Sequence, residues 1–130
     1  MRRNCHKYGA VATVVEGIRF ASKAEARRYA ELKLLDKAGD IRNLKLQPRF
    51  VLMAPVIRGG LKDINRGVFE RVSPIGEYRA DFSYEEQLGP VWRLIIEDVK
   101  GVRTQMYIWK KRHFERQYDI EISEIRYRKG

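Results

Sequence analysis

Two acids and a lysine stand out by their positions. The run Val91-Trp92-Arg93-Leu94-Ile95-Ile96-Glu97-Asp98-Val99-Lys100 is apolar on both faces in its middle, as a central buried strand would be. Asp98 and Lys100 are two residues apart, so on a strand they share a face with Leu94 and Ile96, while Glu97 points the other way with Ile95 and Val99. An acid and a lysine at the end of such a strand are costly to bury without a purpose or partners. The preceding run, Tyr78-Arg79-Ala80-Asp81-Phe82-Ser83-Tyr84, alternates cleanly and adds Asp81. With a turn at Gln87-Leu88-Gly89-Pro90 and Glu86 paired to Val91, Asp81 lies opposite Ile96 and diagonal to Asp98, about 7–8 Å away at Cα. This register also groups Ala80, Phe82 and Tyr84 on the opposite face; a slip of one residue would set Asp81 beside Glu97 instead. Two carboxylates and a lysine converging in this way suit phosphodiester hydrolysis. A hard divalent cation such as Mg²⁺ wants oxygen ligands. It polarises the phosphate and lowers the pKa of a bound water, and Lys100 would steady the charge building on the phosphate. An ordinary surface ion pair is the competing reading of the same spacing.

The elements that must position these residues are legible. Ala12–Phe20 reads as a short hairpin turning near Gly17. Ser22–Ala38 reads as a helix, with Ser22 as N-cap, Gly39 placed to end it in the left-handed region, and Tyr29, Leu32 and Leu35 on one side. Glu25 has two readings here. It completes a Ser-Lys-Ala-Glu capping box, and it shares a face with Tyr29 and Leu32 that could aim it at the sheet. Leu44–Ala54 looks extended, with Pro48 arguing for an edge or entry point. Residues 58–73 read as a basic, glycine-rich flexible loop. Arg103–Tyr118 reads as a second helix with Tyr107, Phe114 and Tyr118 on one side, and Asp119–Tyr127 as a last strand. The expected class is α/β (α+β): a small mixed sheet flanked by helices.

Composition bounds the partners. The chain has 130 residues and a formal net charge of +10. That length suits one domain, residues 1–130, with residues 1–11 as a basic N-terminal arm. No apolar run approaches the roughly 20 residues of a membrane span, and Met1–His6 lacks the apolar run of a signal peptide. One cysteine and two histidines fall short of a usual zinc set, and a reducing cytoplasm fits. The positive excess points to nucleic acid as partner, through phosphate neutralisation. Arg103, Lys110, Lys111 and Arg112 on the second helix are candidates to hold the phosphate backbone; a solvated helix face is the plain alternative. His113 could act as a general base but reads first as a boundary residue, Gln47 as an ordinary strand residue or a neighbour of the site, and Trp92 and Trp109 as core rather than base-stacking platforms.

The segments Tyr78-Arg79-Ala80-Asp81-Phe82 and Ile96-Glu97-Asp98-Val99-Lys100-Gly101, in this order, resemble the motif of the PD-(D/E)XK nuclease superfamily. More narrowly, the chain is similar to a family of small phage-encoded endonuclease-like proteins. The supporting segments are Lys7-Tyr8-Gly9-Ala10, Gly17-Ile18-Arg19-Phe20, Ser22–Tyr29 and Leu46-Gln47-Pro48-Arg49-Phe50. The resemblance implies a restriction-endonuclease-like core and Mg²⁺- or Mn²⁺-dependent hydrolysis of DNA, often by a homodimer. The substrates would be branched junctions, flaps or duplexes, met in replication, recombination or packaging. It implies Asp81 and Asp98 as metal ligands, Lys100 as the motif lysine, and Glu25 as the helix acid completing the metal site. Ala80 stands where the superfamily's name has proline, and the doubled Glu97-Asp98 leaves two acids for one role. The alternative from another class is a basic DNA- or RNA-binding module without catalysis.

Overall fold

The computed structural model describes residues 12–58 and 68–128; the arm over residues 1–11 and the middle of the expected loop lie outside these residues. Strands β1 (Thr13–Val15) and β2 (Ile18–Phe20) form the expected hairpin. Its turn residues Glu16 and Gly17 both have positive φ, 51° and 78°, the backbone that matches the twist of a two-residue turn. Helix α1 (Lys23–Ala38) begins where Ser22 Oγ accepts the Glu25 N–H at 3.1 Å. It ends at Gly39, φ 84°, whose N–H donates to the Asp36 carbonyl.

The expected run over residues 44–54 is two strands, β3 (Ile41–Leu46) and β4 (Arg49–Arg58). The alternating run over residues 78–84 is likewise divided between β5 (Val68–Arg79) and β6 (Phe82–Leu88). The two breaks face each other. Gln47 N–H donates to the Asp81 carbonyl at 2.9 Å, and Ala80 N–H to the Pro48 carbonyl at 3.1 Å. Pro48 has no N–H to give and Gln47 sits at φ 50°, so the paired chains bend together at this point. Before the bend β3 pairs with β6; beyond it β4 and β5 form a separate two-stranded arm. Residues 68–73, expected in a loop, belong to β5, with Arg71 opposite Val56 and Val72 opposite Pro55. The glycines lie at residues 59, 60 and 67, ahead of this strand-forming second part of the segment.

The main sheet has the order β3-β6-β7-β8, with β7 (Val91–Val99) antiparallel to β6 and β8 (Ile122–Ile125) parallel to β7. Helix α2 (Gln105–Tyr118), capped by Thr104, makes the crossover that a parallel pair requires. The protein is a mixed α+β fold. Among the described residues no helix is long and apolar enough to cross a membrane.

The β6–β7 register differs from the expected one. Leu88 pairs with Val91, and the turn is only Gly89-Pro90, with Gly89 at φ 58°. A shift of two residues preserves the faces, so the acids still meet. Ala80 parts from Phe82 and Tyr84, because the bend lies between them. Phe82 and Tyr84 join Phe20, Tyr29, Leu32 and Val99 in the core beneath α1. Ala80 joins Tyr78, Ile96, Phe114 and Ile122 in the core beneath α2.

Glu97 is 1% exposed on the α1 side. Arg28 Nε and Nη2 donate to its two oxygens at 2.8 and 2.7 Å, and the Tyr84 hydroxyl donates to it as well. These bonds, the largest cause, hold the Arg28 guanidinium protonated above even its ordinary range. Removing one partner of such a pair leaves a buried charge without its counter-ion. Arg28→Ala is therefore expected to destabilise the fold by about 3 kcal/mol. The loss should appear as a lower midpoint in guanidinium chloride unfolding; an unchanged midpoint would contradict the pairing.

Candidate active site

The bend delivers Asp81 to the end of the main sheet. One step beyond the pair Phe82↔Glu97, Asp81 stands across from Asp98 itself. The two carboxylates are tied into each other's strands. Asp81 N–H donates to Asp98 Oδ1 at 3.2 Å, and Val99 N–H donates to Asp81 Oδ2 at 2.8 Å. The Tyr78 hydroxyl donates to Asp98 Oδ2. Asp98 is 1% exposed. Lys100 Nζ lies 3.9 Å from Asp98 Oδ2 and 4.0 Å from the centre of the Tyr107 ring. Its main chain is fixed to β8 by an N–H bond to the Ile125 carbonyl at 2.9 Å. The lysine thus sits between an acid and an aromatic face, on the side of the sheet that Asp98 occupies.

Glu25 enters from the first turn of α1. Together with Asp81 and Gln47 it lines a cleft of about 150 Å³, whose walls include Phe20, Leu46 and Phe82. The capping box is half formed. Ser22 receives the Glu25 amide, and the backbone at Ala21 is what draws the Glu25 carboxyl toward ionisation. Gln47, left between two readings by the sequence, is at the cleft.

Burial sets the electrostatics. It pushes the Asp98 carboxyl up to about 7, with the neighbouring Asp81 charge adding to the shift. It pushes Asp81 up to about 6, with Glu25 adding its own repulsion. Glu25 is raised too, again chiefly by burial, against the Ala21 hydrogen bond and the charges of Lys100 and Arg79. Three acids therefore crowd a site that resists their full ionisation. Among the described residues no three His, Cys, Asp or Glu side chains form a ready cation cage. The donor chemistry is nevertheless that of a hard cation: oxygen only, with no thiolate or imidazole, and acids whose ionisation a cation would favour.

The other sequence candidates divide. Arg103, expected on the second helix, lies just before α2 and pairs with Glu124 at 3.4 Å; Lys111 pairs with Glu115 at 3.4 Å and, fastening α2 to β8, with Glu124 at 3.6 Å. Arg112 lies against Trp109, its guanidinium 6.0 Å from the ring centre. Lys110 lines a groove beside the site, together with Arg49, Arg79 and Tyr107. His113 Nε2 donates to the Met53 carbonyl at 2.6 Å and joins α2 to the arm, a boundary role. Trp92 is half-buried under Arg42, and Trp109, expected in the core, is 67% exposed. The α2 stripe that packs inward runs through Tyr107 and Phe114, which turns Trp109 out. Sequence reading missed Tyr78, Arg49 and Arg79 as neighbours of the site. The alternation of Tyr78 with Ala80 was the signal for the first; nothing local marked the arginines.

The fold and site define a mixed α+β domain with an acid–acid–lysine cluster where a bent strand pair meets the end of the sheet. The chain belongs to a family described as "Protein of unknown function (DUF1064)", whose sequence profile matches residues 5–128. Neither the curated proteins nor the solved structures hold a match to it.

The raised acids predict a pH dependence. Asp81 and Asp98 bind protons more tightly in the fold than in the unfolded chain. Stability without divalent metal is therefore greatest below about pH 4, where both states are protonated, and is lost progressively as pH rises from there through about 6–7. Asp98→Asn, which cannot ionise, is expected to raise Tm near pH 8 by about 3–6 °C, to raise it less near pH 5, and to change it little below about pH 4. Differential scanning calorimetry in EDTA checks this; a lower Tm for the variant at the two higher pH values would contradict it.

Proposed function

We propose that this protein is a metal-dependent endonuclease that hydrolyses DNA phosphodiester bonds. The observation that carries this reading is the placing of Asp98, 1% exposed, against a second carboxylate, with Lys100 alongside. A fold gains nothing in stability from two such acids, and titratable groups pushed this far cluster at sites of chemistry. A mixed sheet with a helix on each face is the frame that the nuclease resemblance implies.

Asp81, Asp98 and Glu25 would hold Mg²⁺ or Mn²⁺. The bound ion would supply a polarised phosphate and a water acidic enough to attack it. Tyr78 and the Asp81 amide fix the Asp98 carboxylate by hydrogen bonds to both of its oxygens. Asp81 keeps Oδ2 on the Val99 amide. Lys100, steadied over Tyr107, meets the charge that develops on the phosphate. The net charge of +10 draws the polyanion in. Cutting two strands together would require two copies of the chain.

A cleavage assay tests this reading on labelled duplex, single-stranded, flap and four-way-junction DNA, with Mg²⁺, Mn²⁺ or EDTA. The wild type is expected to cut with metal and not with EDTA. Lys100→Ala and Asp98→Asn should each lose at least about a hundredfold in rate while retaining binding. Binding without cutting under every condition would contradict the nuclease and favour a non-catalytic DNA- or RNA-binding module.

A further inference from the structure

The groove that adjoins the acid site has a composition the cleavage chemistry does not explain. Its floor includes Tyr78 and Tyr107, the residues that touch Asp98 and Lys100, so it opens directly beside them. Arg49 and Arg79, from the base of the β4–β5 arm, and Lys110, from α2, bring positive charge to it. Glu77 pairs with Arg49 at 3.4 Å, which leaves Arg79 and Lys110 as the groove's cations without an ion-pair partner among the described residues. Met106 forms the rim on the α2 side and is 66% exposed. Trp109, three residues on and so a neighbour of Met106 on the outer surface of the same helix, is 67% exposed. Arg112 flanks the indole from the next turn.

We infer that this rim is a stacking platform for unpaired nucleobases. On this view the groove takes a nucleic-acid strand that is single-stranded where it passes α2. The inference rests on the nuclease reading only for the placing of the scissile phosphate, not for the binding. Phosphates of the strand run along Arg79 and Lys110. A base freed from its partner lies on the Trp109 indole, with Met106 beside it and the Arg112 guanidinium close by. In a duplex the bases are stacked on one another and present only their edges, so Trp109 has no ring face to meet. Exposed aromatic and apolar side chains bordering a cationic groove are the combination that single-strand binding uses, because every base has a π-face. The substrate class follows: a strand with unpaired nucleotides beside the cut, such as a flap, a fork or a single strand, in preference to a continuous duplex.

The test is binding in EDTA, where no cutting can occur. The probes are a labelled oligothymidylate of about 12 nucleotides and a duplex of the same length. The single strand is expected to bind more tightly and to quench tryptophan fluorescence. The quench should persist in Trp92→Phe and vanish in Trp109→Phe. Trp109→Leu should weaken single-strand binding about tenfold and duplex binding less than about twofold. Lys110→Ala should weaken both alike and flatten the salt dependence. Circular dichroism on each variant secures that it is folded. Single-strand affinity unchanged in Trp109→Leu would overturn the inference. So would a dimer in sedimentation that this substitution dissolves, since the rim would then be a face for a second copy. Either failure leaves metal-dependent cutting by the wild type intact. Absence of cutting, with the Trp109 dependence intact, would sink the nuclease and leave the platform.

Discussion

Two carboxylates held face to face at the end of a buried strand pair constrain everything near them. Asp81 and Asp98 repel each other, and burial removes the water that would screen the repulsion. The fold answers with directed donors: the Tyr78 hydroxyl and the Asp81 amide on Asp98, the Val99 amide on Asp81. These bonds offset part of the cost of ionisation but not all of it, since both acids remain raised. Lys100 brings the nearest positive charge, yet at 3.9 Å it stands off rather than closing a tight pair. The remaining imbalance is a site that favours a proton or a metal cation.

The neighbouring acid on the same strand shows what a purely structural solution looks like. Glu97 is as buried as Asp98, but it points to the α1 side and receives a bidentate arginine and a tyrosine hydroxyl. Its partners satisfy it within the protein. Strand alternation thus separates two adjacent acids into a fastening for α1 and a member of the acid pair at the sheet's end. The bend at Gln47-Pro48 and Ala80-Asp81 completes the division. It ends the pairing of the main sheet, frees Asp81 to turn toward the cleft, and sends β4 and β5 out as an arm whose base supplies the arginines of the groove.

Much of this was legible in the sequence where local chemistry decides. The Ser22 and Gly39 caps, the Gly17 turn and the apolar stripe of α1 carry their own signals, and each element lies where those signals put it. The face relations of Asp98, Lys100 and Glu97 follow from strand geometry alone. The register did not follow, because it depends on how many residues the turn consumes. A Gly-Pro pair closes the hairpin in two, which moves Asp81 from a diagonal position to one directly across from Asp98. The division of the long strands was hidden for a related reason. Pro48 signals a break, but the matching break at Ala80-Asp81 carries no breaker residue and arises from pairing across the ribbon. Trp109 illustrates the limit of composition: a tryptophan is usually core, and only the inward stripe of Tyr107 and Phe114 turns this one out.

The central claim is that the acid pair is built to take a divalent cation, and proton release on metal binding tests it most directly. Calorimetric titration of Mn²⁺ into the protein near pH 6.5, in buffers of different ionisation enthalpy, reads the protons displaced per ion bound. Acids raised to about 6 and 7 should together give up roughly one proton to the buffer, and Asp98→Asn should lose both the binding and the release. Mn²⁺ that does not bind, or binds with no proton displaced and equally well to Asp98→Asn, would contradict the account.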